Sequence, residues 1–143
     1  MSSKKCYGNE MIVGLGIDCE EIARWNGLSK DSVSDSRYAL FSGDEHAYCS
    51  SSALPAQHYA GRWCLKEATV KALAGIIAIT TRDVEVIHVA HKNPTVLVAQ
   101  RARVPAHISL LASVTHSEKT AAAVVVAESR PEPSDNRASH EQR

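Results

Sequence analysis

The segment Gly14–Glu20, Gly-Leu-Gly-Ile-Asp-Cys-Glu, sets two acids two positions apart behind two glycines. As an extended strand, it puts Gly14, Gly16, Asp18 and Glu20 on one side, with the acids at the far end. Carboxylates that close repel each other unless a cation or a proton lies between them. Oxygen ligands of this kind suit magnesium. The glycines would let another backbone or a ligand approach closely. The same residues also have a plainer use, as packing glycines and as acids opening the next helix. Both readings stand at this point.

The second chemical segment is His58–Ala74, HYAGRWCLKEATVKALA. On a helical wheel Tyr59, Trp63, Val70 and Leu73 form an apolar stripe. Glu67 and Lys71 are four apart and share another face with Ala60, Cys64 and Ala68. Such small neighbours leave room for something bulky beside the charged pair. The alternative is a solvated helix pair contributing only about 0.3–0.5 kcal/mol. Lys66 is expected to lay its stem along the apolar stripe with the amine reaching out, and Arg62 lies nearby. A third feature, Ser113–Ser117, places His116 at a strand end, where a polar group can face a ligand. The other six histidines show no zinc-ligand spacing, and Cys6, Cys19, Cys49 and Cys64 form no C-x-x-C pair. Free thiols in a reducing cytosol are the reading that follows.

These groups need a scaffold. Met11–Cys19 alternates, with Val13, Leu15 and Ile17 opposite the glycines, which predicts a strand with one apolar face. Glu20–Leu28 reads as a short helix, and Asp35–Phe41 as a further helical turn. Ser42-Gly43-Asp44-Glu45 has the S-x-x-E form of a capping box and should open a helix through about Ser50. Pro55 begins the longest helix, which ends near Gly75. Four strands are predicted after it: Asp83–Ala90, Thr95–Gln100, Ala106–Thr115 and Thr120–Glu128, with Asn93-Pro94 as a turn. Helices first and strands late predict an α+β fold, a mostly antiparallel sheet packed against a long helix. Residues 1–9 and 129–143 are polar and read as disordered ends around a 10–128 domain.

Composition narrows the function classes. The 143 residues are 44% hydrophobic, enough for one core. Lys+Arg and Asp+Glu each number 16, so no basic excess points to nucleic acid. The polar start is unlike a signal peptide, and no apolar run reaches the ~18–20 residues that span a bilayer.

Four segments in order, GLGIDCEEIARW, FSGDEHAYC, YAGRWCLKEATVKAL and SVTHSEKTAAAVVVAE, resemble the holo-acyl-carrier-protein synthase family of 4'-phosphopantetheinyl transferases. The resemblance runs from Gly14 to Glu128. It implies an α+β transferase that moves the 4'-phosphopantetheine group from coenzyme A to a serine of an apo acyl or peptidyl carrier protein, releasing 3',5'-ADP with magnesium. On this resemblance Asp18 and Glu67 are the metal ligands, and Glu20 is a third acid as in surfactin-type relatives. Lys71 lies near the coenzyme phosphates. Arg62, Lys66, Gly75 and His116 belong to the coenzyme site, and Arg24 meets the acidic helix of the carrier. Asp18, Glu67 and Lys71 form the catalytic set. Gly75-Ile76-Ile77 departs from the family's Gly-Thr-Gly loop. The chain holds one half of what longer relatives carry twice, which implies a homotrimer with sites between subunits, in the cytoplasm. The rival within the same fold is an inactive coenzyme-binding or assembly module. Outside it stand an unrelated magnesium phosphotransferase and a structural trimer.

Overall fold

The computed structural model describes residues 10–88, 92–99 and 102–130. Its elements run β1 (Met11–Glu21), α1 (Gly43–Ser50), α2 (Pro55–Leu73), β2 (Val84–Ile87), β3 (Thr95–Val98), β4 (Ile108–His116) and β5 (Thr120–Ser129), with single 3₁₀ turns at Ile22–Trp25, Tyr38–Leu40 and Thr81–Asp83. The strands form an antiparallel sheet in the order β1-β5-β4 and a separate antiparallel pair, β2-β3. The α+β expectation holds. Of the predicted ends at 1–9 and 129–143, residues 1–9 and 131–143 lie outside the described residues, as does Cys6. Ser129, placed in the tail by its sequence, is instead the last residue of β5.

The capping box forms as read. Ser42 Oγ accepts from the Glu45 amide at 3.2 Å, and Glu45 Oε2 accepts from the Ser42 amide at 2.8 Å. Pro55 opens α2, where its missing N–H costs nothing. The helix predicted over Glu20–Leu28 shrinks to one turn, because Glu20 and Glu21 continue the ladder opposite Ala121 and Thr120. Gly27, at φ +78°, then turns the chain away.

α2 is the central rod. Ala60, Cys64, Ala68 and Ala72 are buried on its sheet side, beneath Ala121, Ala123 and Val125 of β5. Leu65, Lys66 and Thr69 are buried as well. Of the predicted stripe, Tyr59 and Leu73 are buried while Trp63 and Val70 are half-buried. Full burial of side chains such as Leu65 and Leu73 contributes roughly 1.5–3 kcal/mol each.

β1 meets the rod through its glycines. A Cβ on Gly14 would lie 1.9 Å from the Ala72 carbonyl oxygen, and one on Gly16 would lie 1.8 Å from that of Ala68. The small residues of α2 therefore make room for a strand backbone. The consequence for β1 is inverted: Val13, Leu15 and Ile17 are exposed, Leu15 and Ile17 by 64% and 66%.

Candidate active site

Asp18 follows Gly16 by two positions on the inward side of β1, so the close approach of strand and rod brings it to α2. Lys71 Nζ donates to Asp18 Oδ1 at 2.9 Å and to the Ile17 carbonyl at 2.9 Å. The side chain of Lys71 is half exposed and that of Asp18 mostly covered. The bond from Asp18 raises the pKa of Lys71 above the ordinary lysine value; the charges of Asp18 and Glu67 add to this, against slight desolvation. The ammonium thus stays protonated at neutral pH, held by Asp18 and influenced by the charge of Glu67 one helical turn before it. Glu67 has no hydrogen-bond or ion-pair partner among the described residues. Its neighbour Cys64 is pushed up to about 12, first by burial and then by the charges of Asp18 and Glu20, so it is a neutral thiol and no nucleophile.

Glu20 is spent elsewhere. Arg24 Nη1 reaches its two oxygens at 2.8 and 3.0 Å, and the Glu21 amide donates to Oε1 at 3.1 Å. Among the described residues no group of three His, Cys, Asp or Glu side chains is placed to share a metal ion. Arg24, placed as a carrier contact, is bound to Glu20 while its side chain remains 67% exposed.

Lys66 requires a correction. Its amine does not reach out: it lies 2.9 Å from Glu45 Oε2 with both side chains buried, and it donates to the Val84 carbonyl. Glu45 Oε1 also accepts from the Val86 amide at 2.9 Å. An ammonium in the core is tolerated only when paired, and here the pair ties α1, α2 and β2 together. Gly75 follows α2, where Ile76 and Ile77 amides close on the Leu73 carbonyl. No atom lies within 4 Å of a Cβ built on it, so its backbone is open to approach.

A second group forms on another side of α2. Arg62 is buried, its Cζ 3.9 Å over the Tyr48 ring, and its Nε has no partner among the described residues. It borders a cavity of about 190 Å³ that His58, His88 and His116 also line. His116 ends β4, and its Nε2 lies 2.8 Å from Gln57 Nε2. His58 and His88 escaped the sequence reading because they lie on separate elements. The one available signal was that His58 and Arg62 stand four apart on a helix. Glu67 follows Arg62 by five residues, about 140° around the rod, so one chain points its two groups in different directions.

The chain matches the model of the 4'-phosphopantetheinyl transferase superfamily over residues 14–125. It is 34% identical over 119 residues to a holo-[acyl-carrier-protein] synthase of Protochlamydia amoebophila, covering 81% of this chain and 98% of the relative. The acyl carrier protein synthase of Mycobacterium tuberculosis superposes with a TM-score of 0.65 at 31% identity, over 83% of this chain and 99% of that one. A Bacillus anthracis holo-(acyl-carrier-protein) synthase in complex with CoA (3',5'-ADP) gives 0.64 at 26% identity, over 83% and 98%. The match over residues 14–125 and the likeness to the Protochlamydia amoebophila relative across most of both chains place the chain in the holo-acyl-carrier-protein synthase family of 4'-phosphopantetheinyl transferases.

Proposed function

We propose that the chain transfers the 4'-phosphopantetheine group of coenzyme A to a serine of an apo-acyl carrier protein and releases 3',5'-ADP. The observation that carries this reading is the Lys71–Asp18 ion pair at 2.9 Å, which joins β1 to the helix that carries Glu67 one turn before Lys71. In the reaction the serine oxygen forms a bond to the phosphorus nearest the pantetheine, and the bond from that phosphorus to the bridging oxygen breaks. Charge must be neutralised and the groups aligned for this exchange. Lys71 offsets charge on the departing nucleotide, and Asp18 fixes where its ammonium stands. Glu67, without a hydrogen-bond or ion-pair partner among the described residues, is the carboxylate assigned to take the serine proton.

The donor set fits magnesium, which is held through one or two carboxylates together with substrate phosphates: Asp18 and Glu67 are hard oxygen donors on two elements packed against each other. When bound, the metal neutralises charge on the pyrophosphate oxygens. Glu20 is left to orient Arg24 towards the carrier's acidic surface. Arg62 and His116 receive the coenzyme, and Gly75 offers open backbone near the end of α2.

We also propose a homotrimer. Met11, Leu15, Ile17 and Leu111 are each more than half exposed, an apolar area that isolated soluble chains seldom leave uncovered. Because the two polar groups point apart on one chain, a complete site needs the Asp18 side of one copy against the Arg62 side of the next. The free thiols among the described residues, Cys19, Cys49 and Cys64, suit a cytoplasmic setting. The test is intact-mass measurement of apo-acyl carrier protein after incubation with the chain, coenzyme A and magnesium. A gain of one phosphopantetheine arm is expected; an unchanged carrier mass overturns the reading.

A further inference from the structure

The cavity beside Arg62 holds more basic groups than the coenzyme assignment uses. Arg62 is 5% exposed, and its Nε is unpaired among the described residues. A buried charge without a counter-ion is costly, and an anion in this cavity would offset that cost. Tyr48 on α1 spaces the surrounding groups: the guanidinium stacks over its ring, and the His58 and His88 rings lie 5.4 and 5.0 Å from it. His116 enters from the end of β4, held by Gln57.

No carboxylate lines the cavity among the described residues. Cys49 on α1, within reach of Arg62, is pushed up to about 12, chiefly by burial, and stays a neutral thiol. Glu45, whose charge also reaches Cys49, is committed to Lys66. Among the described residues no carboxylate therefore answers the positive charge of Arg62, which is met only by the Tyr48 ring and the Cys49 thiol.

We infer that His58 and His88 join Arg62 and His116 as the donors of a phosphate-binding cradle. A phosphate there draws protons onto the imidazoles, because a bound dianion favours their charged form. In the free protein burial, then Arg62, His116 and His88, hold His58 below the ordinary histidine value. Binding near neutral pH should thus take up protons, and affinity should fall as pH rises through the histidine range. That the phosphate is carried by coenzyme A rests on the transferase reading; the cradle itself does not.

Calorimetry on the full chain tests this with coenzyme A, 3'-dephospho-coenzyme A and 3',5'-ADP, at about pH 6 and about pH 8, in two buffers of different ionisation enthalpy. H58Q, H88Q and the double variant are compared with the unaltered chain. His88 is exposed, so H88Q keeps the test open should H58Q fold poorly. The double variant should weaken coenzyme A roughly tenfold at the lower pH, far less at the higher, and abolish proton uptake. A loss confined to ligands bearing the 3'-phosphate assigns the cradle to that monoester; an equal loss with the dephospho form assigns it to the pyrophosphate. Unaltered affinity and proton uptake in the double variant would overturn the cradle. If coenzyme A fails to bind the unaltered chain while 3',5'-ADP binds in a His58- and His88-dependent way, the cradle stands and the coenzyme reading falls. If neither binds, both fall.

Discussion

The main-chain oxygen of Ala68 fills the space that a side chain on Gly16 would need: a Cβ there would lie 1.8 Å from it. Because the obstacle is backbone, no rotamer change relieves it. The strand would have to lift from the rod and carry Asp18 with it.

Gly16→Ala should therefore lower stability by about 1–3 kcal/mol or more, as overpacking does, and reduce transfer further than stability alone accounts for. Urea denaturation alongside a transfer assay checks both. Gly75→Ala, with open space around it, should leave the denaturation midpoint unchanged.

Asp18→Ala and Glu67→Gln should each cut carrier modification by at least roughly a hundredfold, the scale on which a charge-stabilising group acts. Far-ultraviolet circular dichroism should remain native. Near-normal turnover in either variant removes that residue from the catalytic set.

Arg24→Glu reverses the charge presented beside Glu20 and should raise KM for the carrier protein. Coenzyme affinity by calorimetry should be unchanged, since Arg24 lines no part of the Arg62 cavity.

Lys66→Met leaves the buried Glu45 carboxylate without its cation and should cost about 3–5 kcal/mol. Adding Glu45→Gln should recover part of the loss. A Lys66→Met chain of unaltered stability that loses coenzyme binding would return Lys66 to the site.

The lowered pKa of His58 gives a signed pH effect. Between its folded value and the unfolded value near 6.5, the unfolded chain binds more protons, so stability falls as pH drops through that window. Scanning calorimetry should show the thermal midpoint decreasing on acidification, less steeply in His58→Gln. Added inorganic phosphate should flatten the dependence in the unaltered chain.

Local signals carried much of this architecture. The Ser42–Glu45 capping box, the Pro55 start and the period of β1 depend on neighbours within a few residues, and each forms where its pattern places it. Which side of β1 faces inward was not legible, because alternation marks two faces without saying which one meets the core. The glycine side faces inward since only it admits the helix backbone. Lys66 misled for a related reason: α2 is covered on most of its circumference, so a wheel drawn for a surface helix finds no polar side to assign. Its partner Glu45 belongs to a different helix, and only packing unites them. The Arg62 cavity likewise assembles from four elements.

β1 is an outer strand, pairing with β5 alone among the described residues, and its outward side chains are greasy. Unguarded ribbons of this kind invite templated clumping, which an edge lysine discourages. Lys71, tethered to the Ile17 carbonyl, occupies that post as well as its chemical one. Replacing it would strip a guard along with a charge, so light scattering must accompany any rate measured on such a variant before lost turnover is read as lost chemistry.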